Sequence, residues 1–101
     1  MLPKTYEFTS ELWIWSGAKA AWHFLSLTEE ASDEIKFFTV HSKRGWGSVP
    51  VTVTIGGSKW KTSIFPSSKT QNFIVPIKKA VRTAEGIKEG DDVTFSIYVA
   101  E

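Results

Sequence analysis

The residues of this chain best suited to chemistry are basic and aromatic, and most lie in its middle. Residues 35–84 carry nine lysines and arginines and no carboxylate, whereas residues 1–34 carry six acids and residues 85–101 carry five. A net charge of +1 thus conceals a basic centre between two acidic flanks. Lys43, Arg44, Lys59, Lys61, Lys69, Lys78, Lys79 and Arg82 are cations that such a block can turn toward a phosphate or another anion. Trp46, between Gly45 and Gly47, adds a surface on which a base could stack. The competing explanation is plain strand chemistry, because exposed strand faces favour Lys and Thr, which also protect sheet edges. A second possible site is apolar: Trp13, Trp15, Trp22, Trp46 and Trp60 could line a pocket for a small molecule. Against it, a narrow barrel needs large side chains as filling, and Trp22 and Trp60 are expected to serve as such.

Catalysis has less to stand on. There is no cysteine, and the two histidines, His23 and His41, are too far apart for an H-x-x-x-H metal pair. No nucleophile elbow or phosphate loop occurs. Asp91-Asp92 follows Gly90 as turn chemistry. Arg82, close in sequence to Glu85 and Asp91, reads as a structural tie. No catalytic residue, metal ligand or cofactor is assigned.

The elements that must position these side chains follow from periodicity. At 101 residues with 42% hydrophobic content, one domain burying about two thirds of its unfolded surface is expected. No apolar run reaches the length of a membrane span or a secretory core, so a cytoplasmic location is expected. Tyr6, Phe8, Leu12 and Ile14 mark one face of a first strand, with Trp13 and Trp15 on the other. Trp22 to Leu27 is a second strand. Ser26-Leu27-Thr28-Glu29 matches a capping box opening a helix whose inner face is Ala31, Ile35 and Phe38. Val49, Val51, Val53 and Ile55 alternate as a third strand, Gly56-Gly57 makes a tight hairpin, and Lys59–Phe65 returns. Gln71–Ile77 is next, followed by a helix over Ile77–Glu85 with Ile77, Ala80, Val81 and Ala84 on one face and Gly86 as its left-handed cap. After Gly90-Asp91, Val93, Phe95, Ile97 and Val99 alternate as a closing strand.

This order is strand, strand, helix, strand, written twice. At a spacing of 49, Phe24, Leu25 and Ala31 fall on Phe73, Ile74 and Ala80; at 44, Val49, Val51, Val53 and Ile55 fall on Val93, Phe95, Ile97 and Val99. The first helix-to-strand loop is therefore read as five residues longer, in the Lys43–Trp46 region. A duplicated β-β-α-β unit, approximately 5–56 and 58–100, can close into a mainly β, six-stranded barrel over residues 1–101, capped by two short helices and monomeric.

Three segments carry a family resemblance: Gly45–Val51 (GWGSVPV), Trp60–Pro66 (WKTSIFP), and Pro76–Arg82 with Gly86-Ile87 and Gly90-Asp91. Together they resemble the bacterial family called domain of unknown function 1905, over nearly the whole chain. The resemblance implies a double-split β-barrel and brings no activity with it. Leu27 departs from the pattern, standing where a counterpart of Pro76 is expected. Pro76–Asp91 is also similar to half of the swapped-hairpin DNA-binding domains of transition-state regulators and antitoxins. Those pair two chains into one barrel, whereas this chain carries both halves. The expectation is a non-catalytic binding or interaction module; the alternatives are an anion or nucleic-acid binder using the basic block, and a small-molecule-binding barrel.

Overall fold

The computed structural model describes residues 2–17, 20–39 and 47–100. In chain order it has β1 (Lys4–Glu11), β2 (Trp13–Ser16), β3 (Ala21–Ser26), α1 (Glu29–Thr39), β4 (Val49–Ile55), β5 (Ser58–Pro66), β6 (Phe73–Pro76), α2 (Lys79–Glu85) and β7 (Asp92–Val99). The seven strands form one antiparallel curled sheet in the order β1-β7-β4-β5-β6-β3-β2. The alternation in β4 and β7 does what a period of two requires. Val49, Val51, Val53 and Ile55 are buried with Val93, Phe95, Ile97 and Val99, and Val53 lies directly opposite Ile97.

The sequence reads the first strand as continuous, but two strands are present. Leu12, fully buried, is the break: its N–H donates to the Asp91 carbonyl and its carbonyl accepts the Gly90 N–H, both at 2.9 Å. Everything before it pairs with β7 and everything after it with β3. β1 and β2 thus stand at opposite ends of the strand order with one residue between them.

Both helices differ in detail from their sequence patterns. The N-cap of α1 is Thr28, whose Oγ1 accepts the Ala31 N–H at 3.1 Å; Ser26 ends β3 and receives the Trp13 indole N–H instead. Ala31 and Ile35 face inward as expected, but Phe38 is 40% exposed, and the third buried position is Ser32. The Ser32 hydroxyl accepts the Phe73 N–H at 2.9 Å, tying α1 to β6. Pro76 ends β6, and α2 begins at Lys79, two residues later than the expected Ile77. Its seven residues bury Val81, with Ile77 just ahead of it, while Ala80 and Ala84 stay exposed. Gly86 caps it at φ 65°, as its position predicts. The interior of the curl is one hydrophobic cluster that includes Leu25, Leu27, Ile35 and Val81 together with Tyr6, Phe73 and Phe95.

On the rim of β1, Lys4 Nζ and the Tyr6 hydroxyl both reach Glu34 Oε1 of α1, at 2.8 and 2.5 Å. Those two hydrogen bonds hold the Glu34 carboxyl below the usual carboxylate range. Burial, and then the hydrogen bond to Glu34, push the Tyr6 phenol well above its ordinary value. Among the described residues no helix is long and apolar enough to cross a membrane.

Candidate functional site

One concavity lies on the outer face of the sheet, where strand alternation directs side chains away from the core, and a second adjoins it at the end of the sheet beside α2. On β3 that face presents Trp22 and Phe24; on β2, Trp13 and Trp15; on β5, Lys61 and Phe65; on β6, Ile74. Phe24 and Ile74 are buried but do not belong to the main core cluster. They form the floor of a separate aromatic cluster. The Trp13 ring lies 5.0 Å from Phe24, the Trp22 ring 6.5 Å and nearly parallel to it, and Phe65 meets it edge-on at 6.1 Å. Above this floor is a cleft of about 440 Å³ lined further by Pro66, Ser67, Ser68 and Lys69.

Trp15 and Trp22 are partners in the β2–β3 register and are 53% and 52% exposed. Trp22 is therefore not the interior filler that its strand position suggests, whereas Trp60 does pack against the core. Gly17 lies beside this cleft. The Trp15 ring folds back so closely that a Cβ at Gly17 would stand 2.5 Å from it.

Trp22 is also a wall of the second concavity, a groove of about 450 Å³ at the mouth of the sheet beside α2. Its other walls include His23, Trp60, Lys61, Lys78 and Arg82. Arg82 is held from two sides: Nε donates to the Ile77 carbonyl at 3.1 Å, and Nη1 lies 3.3 Å from His23 Nε2. A guanidinium can only donate, so Nε2 accepts and the imidazole proton sits on Nδ1, which is buried and has no partner among the described residues. Burial, reinforced by the Arg82 charge, lowers the His23 pKa from 6.5, with Glu89 opposing from the loop after α2. His23 is therefore a neutral prop for Arg82. The tie expected between Arg82 and Glu85 or Asp91 is absent among the described contacts. Glu85 accepts the Ser58 hydroxyl, and Asp91 accepts the Lys88 N–H and pairs with its ammonium.

Lys78 Nζ stands 6.0 Å from the Trp60 ring centroid, so Trp60 steadies a groove cation while packing inward. Lys61 continues into a third hollow, lined by Thr5, Thr52, Thr54, Lys59, Ser96 and Tyr98. None of these three linings contains a carboxylate. The acidic side chains Glu7, Glu30 and Glu34 line a separate concavity between β1 and α1, with Glu7 in register opposite Ser96 of the third hollow. The structure therefore brings Lys61, Lys78 and Arg82 together, with Lys59 next to them and Lys69 in the aromatic cleft. Lys79 is exposed at the start of α2 and lines none of these three hollows. Lys43, Arg44 and Trp46 lie outside the described residues.

Sequence reasoning missed Phe24, Phe65 and Tyr98 as surface-forming aromatics. The signal for Phe65 was available: it alternates with Trp60, Thr62 and Ile64 and so shares the outward face of Lys61. Among the described residues no three His, Asp or Glu side chains gather in a way that could hold a metal ion.

The family model described as "Domain of unknown function (DUF1905)" matches residues 8–97 of the chain. No curated protein matches it.

Proposed function

Since the chain belongs to the DUF1905 family, whose description assigns no activity, we propose a function from its surface: a non-catalytic binding module that takes a planar anionic ligand on the outer face of β2, β3, β6 and β5. One observation carries the reading. Two more-than-half-exposed tryptophans stand over an aromatic floor outside the core, and the adjoining groove is walled by Lys61, Lys78 and Arg82 without a carboxylate. Leaving that much indole in water forgoes hydrophobic stabilisation of about 25 cal/mol per Å², a cost a bound ring would recover. Arg82 supports the same reading, since its fixed guanidinium keeps donors to spare for an oxyanion. The non-catalytic part rests on His23, whose Nε2 is engaged by Arg82 and whose Nδ1 is buried. The test is tryptophan fluorescence during titration with 1-naphthalenesulfonate. Quenching that weakens in Trp22→Ala and in Lys61→Gln is expected, and a signal unchanged up to millimolar probe would overturn the proposal.

The fold reading that accompanies it is a six-stranded double-split barrel built from a repeated unit, with β1 and β2 taken as one strand bent at Leu12. Its support is a symmetry in the pairings. Exchanging β1/β2 with β5, β3 with β6 and β4 with β7 returns the same set of neighbours, once β1 and β2 count as one. α1 and α2 start 50 residues apart, which pairs Leu27 with Ile77 and His23 with Phe73. Under that shift the hydrogen bond from Leu27 N–H to the Phe73 carbonyl becomes the one from Ile77 N–H to the His23 carbonyl, each 2.9 Å. At the spacing of 44, Val53 falls on Ile97, its own partner across the sheet. The proposed repeat thus aligns better at 50 than at 49, an offset of six rather than five against the strand spacing of 44, and most of it lengthens α1, 11 residues against 7 in α2, rather than the loop that follows.

A further inference from the structure

Building on that reading, we infer that the three outer hollows form one continuous track for single-stranded nucleic acid, running across the strands rather than along them. The hollows join at shared side chains. Trp22 belongs to both the aromatic cleft and the basic groove, and Lys61 to both the basic groove and the hydroxyl-rich hollow beyond it. Strand register shows why. Trp15 is opposite Trp22, Lys61 is opposite Thr52, Thr52 is opposite Tyr98, and Tyr98 is opposite Thr5. Between Trp22 and Lys61, the β3–β6 pairing continues past Pro76 through the Ile77 N–H to His23 carbonyl bond and delivers Lys78 to the same groove. The result is a row reading Trp, Trp, Lys, Lys, Thr, Tyr, with Arg82 beside it.

The span from β2 to β7 crosses five interstrand gaps. At about 4.8 Å each this is about 24 Å, the reach of a short oligonucleotide, and site sizes on comparable β-surfaces start near four nucleotides. The chemistry selects a single strand. Exposed indoles at one end and Tyr98, 42% exposed, at the other offer π-faces that only unstacked bases can use, while the lysines between them meet the backbone. The outer side of a curled sheet is also convex, so a duplex, stiff over about 50 nm, touches it along a short arc only.

The experiment uses the full chain and fluorescein-labelled oligothymidylates of two, four and eight nucleotides, read by polarisation at low and moderate salt. Affinity should rise from two to four nucleotides and then flatten as the row fills, with tryptophan quenching throughout. Trp22→Ala should weaken binding about tenfold or more. Because Trp22 is 52% exposed and outside the main core cluster, Trp22→Ala should still unfold in one cooperative transition, which is monitored alongside. Replacing Lys61 and Lys78 by Gln should make the salt dependence shallower by about 1.4 in log–log slope. A duplex of the same length binding as tightly, or affinity independent of strand length, overturns the track. If oligonucleotides fail while 1-naphthalenesulfonate still quenches, the track falls and the planar-anion reading stands; if neither quenches, both fall.

Discussion

Replacing Ser32 by Ala isolates one buried polar contact. Ser32 is fully buried in α1, and its hydroxyl is the acceptor for the Phe73 N–H in β6 at 2.9 Å. The Phe73 carbonyl is taken by Leu27, so the strand is fastened to the helix segment from both of its backbone groups. Removing the hydroxyl leaves a buried N–H unsatisfied, at a cost of about 1–3 kcal/mol. The better helix propensity of Ala returns roughly 0.3–0.5 kcal/mol of this. For a domain of this size, a net loss of about 2 kcal/mol lowers the melting temperature by about 10 °C. Thermal unfolding followed by circular dichroism measures it, and urea unfolding should give a lower midpoint with an unchanged slope. Thr9→Ala is the control, since the Thr9–Thr94 hydroxyl pair is solvent-exposed and its loss should cost less than about 0.5 kcal/mol. A Ser32→Ala protein melting within about 2 °C of the parent would refute the assignment of Ser32 as the clasp between α1 and β6.

Leu12→Ala empties the pivot between β1 and β2 and should cost about 2–5 kcal/mol in urea unfolding, with a midpoint close to the parent's contradicting its core role. His23 makes stability pH-dependent in a stated direction. Its pKa is lowered in the folded chain, so its contribution is complete above 6.5; as the pH falls below that, the unfolded chain takes up the proton first and stability declines. The melting temperature should therefore drop between pH 7.5 and pH 5, and drop less in His23→Gln. Equal drops in the two proteins would show that His23 is not the group responsible. Glu34 acts in a lower window. Its depressed pKa gives stability that is present above the ordinary carboxylate range and lost as acid titrates it, so Glu34→Gln should flatten the profile below about pH 4.5 only.

Much of the fold was legible because β4, β7 and the Gly56-Gly57 turn carry unambiguous local signals, and each strand buries one face. The break at Leu12 was not legible for a physical reason. The strand changes partner without changing its inward–outward alternation, and no Gly or Pro is needed to do so. Nor could α2's true length be read from Ala80 and Ala84, since small residues fit an exposed helix face as readily as a buried one. Thr28 and Ser26 are both good caps, and what separated them was the demand of the Trp13 indole for Ser26. At the candidate site, charge segregation pointed to Lys61, Lys78 and Arg82, which the structure brings into one groove. The role of Trp22 was hidden because a tryptophan on a strand fits a core and a surface equally well until its pairing is known.

The decisive comparison is the double variant Trp15→Ala/Trp22→Ala, measured for melting temperature and for quenching-independent oligothymidylate polarisation on the same sample. If these indoles serve a ligand, binding disappears while the double variant still unfolds in one cooperative transition. Loss of that transition would make them structural, and undiminished binding would place the ligand elsewhere.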